Sequence, residues 1–354
     1  MTLLPVATEP VRGEVAGRPV VLTYTTTAAE YDALRTRAAL FDHSHRGRMR
    51  FTGDQAGGVL GGLVTNDVEG LDVGQGLYAA ALSAKGRVVT DARVYRDAEG
   101  LLVDVPARAA AGWEAMVRKY VNPRLATYRD VSEEVAALGI HGAQARIALA
   151  TITGGSAAGL GTLPPYHHVS AEIEGTPVLV AHVPDLGVDG FELYVPAAQL
   201  ERIRERALAA GVIPAGLQAW EVARVEAGRP EWGIDMDETT LAQEANLEAL
   251  HAISYTKGCY IGQEVVARIH FRGHVNRHLR GLRAAGIEAP PAGAELVDAA
   301  SAVVGDIRSS LVSPRLGGIA LGMVRREVEP GTTLVARLGG TEMRVDVAAL
   351  PFAG

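Results

Sequence analysis

The sequence predicts an α+β fold with a separate β-barrel at its C-terminal end. Hairpins and helices follow one another without the regular strand–helix–strand rhythm of a doubly wound sheet. The segment "LYAAALSAKGRVVTDARVY", Leu77 to Tyr95, reads as two strands joined by a tight turn at Lys85 and Gly86. From about Asn276 onward short apolar runs are cut by glycine and proline, and Met343, Val345 and Val347 alternate with polar neighbours, the period of a half-buried strand. At 354 residues the chain exceeds what one hydrophobic core organises, so two or three packed units are expected.

Taken in order, Thr27 and Glu30 form a capping-box pattern ahead of Tyr31, Leu34 and Ala38, which predicts a short amphipathic helix before "ALFDHSHRGRMRFTG". A strand follows around Met49 and Phe51, then the Leu77–Tyr95 hairpin. Another apolar strand, Leu101 to Val105, leads into a helical stretch near Ala107 to Tyr120. The charge-free run "IALATITGGSAAGLGTLPPY", Ile147 to Tyr166, holds too many glycines, threonines and prolines for a spanning helix, and reads as an element followed by a loop. Later, "TPVLVAHV" and "FELYVP" precede a helix from Ala197 to Ala210.

A formal charge of −7 argues against a protein whose whole surface grips nucleic acid, while leaving room for a local basic stripe. A single cysteine can form neither an internal disulfide nor a thiolate zinc cage, which fits a reducing cytosol; a cytoplasmic location is expected. The opening "MTLLPVATEPVRGE" has no basic n-region, and Glu9 and Arg12 interrupt its apolar character, so no signal peptide is expected. Only Lys85, Lys119 and Lys257 supply lysine, which makes each one informative.

The single thiol, Cys259, lies in "KGCYIGQE" between Gly258 and Gly262 and two residues after Lys257. It reads either as a small packed hydrophobe or as a reactive group. Flanking glycines permit close approach of a ligand, Lys257 brings a cation, and a helix beginning in "QEVVARIHF" would put its positive end near the sulfur. Downstream, Arg268, Arg272, Arg277, Arg280 and Arg283 are interspersed with His270, His274 and His278 and no carboxylate, a pattern for an anionic tail or a solvated connection. Ile269, Phe271 and Val275 around Gly273 look strand-like, which disfavours a metal site on a helical face. Ser156 resembles a nucleophile elbow, but Ala158 stands where its second glycine would be. Asp235 and Asp237 form a carboxylate pair open to acid–base work or to an ordinary polar loop.

The stretch "LAQEANLEALHAISYTKGCYIGQEVVARIHFRGHVNRHLRGL" resembles the signature region of the YgfZ branch of the aminomethyltransferase-like folate-binding proteins. Lys257, Gly258, Cys259, Tyr260, Gly262, Gln263 and Glu264 match its K-G-C-aromatic-x-G-Q-E string. The likeness runs through "LVTNDVEGL", "GVDGFELYVP", "ARVEAGRPEWGIDMDE" and "VGDIRSSLVSPRLGGIALG". It implies a three-domain ring around a folate pocket, as in glycine cleavage T-protein. Residues 1–50 and 130–275 would form discontinuous folate-binding domains, 51–129 a hairpin-containing α+β domain, and 276–354 an antiparallel β-barrel.

The resemblance implies tetrahydrofolate or a derivative as cofactor and a role supporting iron–sulfur cluster assembly or repair, with iron–sulfur client proteins as partners. Cys259 and Lys257 would carry the chemistry. Asp91, Glu192 and Arg224 would orient the pterin, and the stripe at Arg272 would receive the glutamyl tail. Where the sister T-protein branch bears two consecutive acids after its hairpin turn, this chain has Thr90 and Asp91; Val188 replaces one glutamate while Glu192 keeps the second, and Ala219, Trp220 and Glu221 stand in for its A-R-D segment. These departures argue for weak or no aminomethyl transfer. The alternatives are a folate-dependent aminomethyl or other one-carbon transferase, and a tRNA-interacting module using the arginine stripe.

Overall fold

A computed structural model describes residues 9–157 and 159–353; Ala158, invoked above, lies outside the described residues. Among the described residues no helix is long and apolar enough to cross a membrane. The chain divides into two units. The first comprises residues 9–46 and Val131–Ala223, the second Gly47–Asp130 and residues 224–353.

The first unit is built on a six-stranded sheet in the order His168–Ile173, Thr176–His182, Gly190–Pro196, Val135–His141, Ala39–Asp42, Ile213–Pro214. All neighbours are antiparallel except the last short pair. Helices Ala145–Ile152 and Leu200–Ala209 cover it, and Leu138, Ile140, Leu149, Ile173, Phe191 and Ile203 fill the space between. Burying each such side chain stabilises the unit by about 1.5–3 kcal/mol.

The helix expected after the capping pattern spans Thr27–Thr36, but Thr26 rather than Thr27 caps it. Thr26 has the extended backbone that a cap requires, and its hydroxyl accepts from the Ala29 amide. Glu30, fully buried, reaches back past the cap: its carboxylate accepts from the amides of Tyr24, Thr25 and Gly216. It therefore ties the segment leading into this helix to the residue that precedes the helix Leu217–Glu226.

In the second unit a five-stranded antiparallel sheet runs Gly76–Leu82, Val88–Asp97, Gly100–Val105, Gly47–Thr52, Thr127–Asp130. The predicted hairpin is its first pair, with Gly86 at φ +73° in the turn. One face packs apolar residues, among them Phe51, Val94, Leu101 and Val103, against Trp113 and Val117 of the helix Ala110–Tyr120.

The remaining strands of this second unit close into the antiparallel six-stranded barrel expected from the C-terminal sequence. Arg277–Ala284 opens it and pairs with Thr341–Ala348 to seal it, so no edge is left to aggregate. Val345 and Val347 point into its core with Leu282, Leu296 and Leu334, and Met343 packs at its margin. Between the helices Leu217–Glu226 and Gln263–Arg272, residues 227–262 hold neither helix nor ladder strand. So long an irregular stretch in a folded unit marks a place for function.

Candidate functional site

Lys257 and Cys259 sit near the end of that irregular stretch. The loop is strapped along residues 61–66: Ser254 donates through its amide to the Thr65 carbonyl (2.9 Å), Ile261 to Gly62 (3.1 Å), and the Thr65 hydroxyl to Ala252 (2.6 Å). Lys257 is the central strap, its Nζ donating to the carbonyls of Gly61 and Val64, the latter at 2.8 Å, and lying 5.0 Å from the Tyr260 ring centre. These carbonyls lie at and just beyond the end of the short helix Ala56–Gly61, where a cation is favoured.

Burial lowers the Lys257 ammonium to about 8, opposed by Asp67, then Glu69, and last by Cys259. The expected lysine–thiol coupling is thus the least of the charges acting on this lysine. Cys259 itself is exposed. Of its two flanking glycines only Gly262 is conformationally required: at φ +85° it caps the helix Gln263–Arg272, and a Cβ there would meet the Ser83 carbonyl at 2.6 Å. A Cβ on Gly258 would meet open space.

Asp91 lies on the strand Val88–Asp97, its residue 8% exposed. It is in register with Ala80, so Tyr78 is its diagonal neighbour and can donate its hydroxyl to Asp91 Oδ2 (3.0 Å). The Arg229 guanidinium covers the Tyr78 ring at 4.6 Å. Arg224 holds Arg229 by donating Nη1 to its carbonyl (3.2 Å), and is itself fixed by Asp235 (2.7 Å) and Ser309 (2.8 Å). The structure therefore brings Asp91 and Arg224 together through Tyr78 and Arg229. Asp235 is a structural anchor, because its second oxygen accepts from the Ser309 amide (3.1 Å). Asp237 instead caps a local turn through Thr239 and Thr240. Ser156 exchanges hydrogen bonds with the backbone of Glu172, which accounts for it without catalysis.

Sequence reasoning missed the neighbours of Asp91. Arg93, Asp104 and Arg48 are buried on adjacent strands; Asp104 is in register with both arginines, and Arg48 approaches it to 3.8 Å. The signal was present in "TDARVY", where charged and apolar residues alternate with the strand period. It marks a sheet with one apolar face and one buried, charged face.

Glu192 belongs to the first unit. It is wholly buried, and its Oε1 meets His43 Nδ1 at 2.8 Å and His141 Nε2 at 3.3 Å. Trp220, standing where the T-protein pattern has arginine, packs edge-on against both imidazoles, with ring centres 4.3 and 5.0 Å away. Gly139, in register with Glu192, leaves room for this cluster, since a Cβ there would lie 3.0 Å from the His141 ring.

Arg272 is exposed at the last turn of the helix Gln263–Arg272, so the strand-like reading around Ile269 and Phe271 does not hold. Helical capping by Gly262 and burial of Val266 against its unit outweigh β-branched and aromatic propensity there. The arginine stripe also breaks up: Arg277 pairs with Glu244 at 3.0 Å, Arg280 approaches Glu329 to 3.8 Å, and Arg283 donates to the Ala353 carbonyl. Its carboxylate partners come from distant parts of the chain. Among the described residues no cluster of three or more histidines, cysteines or carboxylates is arranged to hold a metal.

Comparison with known proteins covers nearly the whole chain. Residues 8–254 match the GCVT N-terminal domain, and 277–353 the glycine cleavage T-protein C-terminal barrel domain. An aminomethyltransferase of Saccharopolyspora erythraea is 33% identical across 96% of this chain and 93% of its own length. One from Rubrobacter xylanophilus is 33% identical across 96% and 89%. The crystal structure of glycine cleavage system aminomethyltransferase T from Bartonella henselae superposes with a TM-score of 0.87 at 24% identity, covering 97% of this chain and 94% of that one, a likeness of fold. Relatives of this name and coverage overturn the expected role in iron–sulfur cluster assembly or repair, and favour the transferase alternative. They lend no support to iron–sulfur clients or tRNA as partners. The chain belongs to the family defined by the GCVT N-terminal domain and the glycine cleavage T-protein C-terminal barrel domain.

Proposed function

We propose that the protein is a folate-dependent transferase of aminomethyl or related one-carbon units. The observation that carries this reading is the match, along almost the full chain, to relatives named aminomethyltransferase. Tetrahydrofolate, when bound, supplies the nitrogen atoms that accept the one-carbon unit.

The candidate residues fit such a ligand unequally. A reduced pterin offers N–H donors and needs a carboxylate that is dry yet reachable. Asp91 meets this: it is nearly buried, retains some exposure, and has one oxygen held by the Tyr78 hydroxyl. We assign it the role of accepting an N–H and holding a proton. Arg224 acts through Arg229 and Tyr78 and is a positioning residue. Glu192 does not fit: no part of it is exposed, and two imidazoles converge on one of its oxygens. Arg272 offers an exposed cation for an anionic tail. Thr90 turns its hydroxyl to the Asp91 carbonyl (2.6 Å) and supplies no second carboxylate.

Cys259 enters as an accessible thiol on a loop that Lys257 holds in place. The finer placement in the YgfZ branch rests on the Lys257–Glu264 string alone, and the cytoplasmic location on the single cysteine.

The test is turnover of purified protein with tetrahydrofolate and a lipoylated carrier protein loaded with an aminomethyl group. Release of ammonia with formation of methylene-tetrahydrofolate is expected, and Asp91→Asn should lower the rate about 10²-fold. Absence of turnover, together with no calorimetric binding of tetrahydrofolate, would sink the proposal.

A further inference from the structure

A cleft of about 460 Å³ in the second unit is walled by Gln243, Glu248, His270, His274, His278 and Arg280. Its size is that of a small-molecule site. Its lining holds two groups of residues of opposite polarity.

The first group accepts. The Glu248 carboxylate meets His270 Nδ1 at 2.7 Å and also the Tyr255 hydroxyl, which leaves part of a carboxylate's acceptor capacity of about four. Gln243 is 7% exposed, and its Nε2 donates to the Val266 carbonyl at 3.1 Å. Only an amide NH₂ can make that bond, so the orientation is fixed and Oε1 remains an acceptor with no hydrogen-bond partner among the described residues. The helix Gln263–Arg272 ends at Gly273 in the same lining, adding the negative end of its dipole. Consistent with this polarity, burial and then Glu248 push the hydroxyl of Tyr255, stacked on His270 at 3.7 Å, upward.

A second group of lining residues donates. His278 and Arg280 lie two apart on the strand Arg277–Ala284 and share a face. Arg280 Nε is buried without a hydrogen-bond partner among the described residues, and Nη2 comes only within 3.8 Å of Glu329. Burial, then Arg280, lower the His278 imidazole, as a positive neighbour should. His274, exposed just beyond Gly273, adds a further imidazole.

An anion alone would face Glu248 and the carbonyl end of a helix, and a cation alone would face Arg280. A molecule carrying both charges, a short distance apart, satisfies both groups. We propose that this cleft binds a small zwitterion of the amino-acid type, its ammonium toward Glu248 and the helix end and its carboxylate toward Arg280 and His278. The site is independent of the one-carbon chemistry proposed above.

The test uses the full chain and L-alanine as probe, with acetate and methylammonium as its separate halves, followed by amide chemical shifts. Saturable shifts at Gly273 and His274 are expected, with alanine binding at least about tenfold more tightly than either half. Glu248→Gln and Arg280→Gln should each weaken alanine about tenfold, and Glu248→Gln should leave acetate binding unchanged. Should Arg280→Gln fail to fold, since it sits in a barrel strand, Glu248→Gln carries the test because it keeps an acceptor for His270. No saturation by about 50 mM alanine, or acetate binding as tightly as alanine, overturns the proposal.

Discussion

The two units handle buried charge in contrasting ways. In the first, one carboxylate, Glu192, is enclosed by His43 and His141 and covered by Trp220. In the second, charges form a row across a sheet face, Asp91 keeps slight exposure, and Arg224 and Asp235 brace the neighbourhood from outside the sheet. A carboxylate with no exposure fixes the interior, whereas one that keeps slight exposure can still meet a ligand. The contrast predicts that the same chemical change, carboxylate to amide, acts on stability in one unit and on turnover in the other.

The largest expected effect tests the brace. Arg224→Met leaves Asp235 buried without its cation, and breaking such a pair costs about 3–5 kcal/mol, read as a fall in the urea midpoint. Little change would mean that the pair is relaxed by solvent. Next comes Asp91→Asn, expected to reduce one-carbon transfer about 10²-fold while shifting stability by less than about 1 kcal/mol, because the amide oxygen still accepts from Tyr78.

Glu192→Gln should show the reverse, a loss of about 1–3 kcal/mol in stability with the rate per folded molecule retained. Equal losses of rate in both amide variants would erase the distinction between the units.

The smallest effect is a pH dependence at Lys257. Its folded value, about 8, lies below the ordinary 10.5 because the ammonium is half-buried. Between these values the unfolded chain holds a proton that the folded chain has released, so this group's contribution to stability rises with pH across that window. Partial exposure keeps the slope shallow. Urea midpoints at pH 7.5 and 10 should differ less in Lys257→Met than in the parent protein.

Local patterns made much of the fold legible. The Leu77–Tyr95 hairpin and the alternation at Met343, Val345 and Val347 were readable because a strand's period and a tight turn are short-range properties. Asp91 was legible as a lone acid after a turn. Its partners were not, since Tyr78 meets it across a strand pair and Arg229 comes from far along the chain. The carboxylate partners of Arg277 and Arg280 were hidden for the same reason: Glu244 and Glu329 lie outside the arginine run.

The sequence by itself determined the Leu77–Tyr95 hairpin, the barrel strands and the aminomethyltransferase-like superfamily, because these depend on neighbours in the chain and on strings that can be matched. Only the tertiary structure decided which charges are spent inside the protein. Lys257 reads as the companion of a thiol two residues away, yet its ammonium is committed to the carbonyls of Gly61 and Val64. A buried charge takes whatever partner lies within a few ångströms once the chain has packed, and packing, not proximity in sequence, chooses that partner.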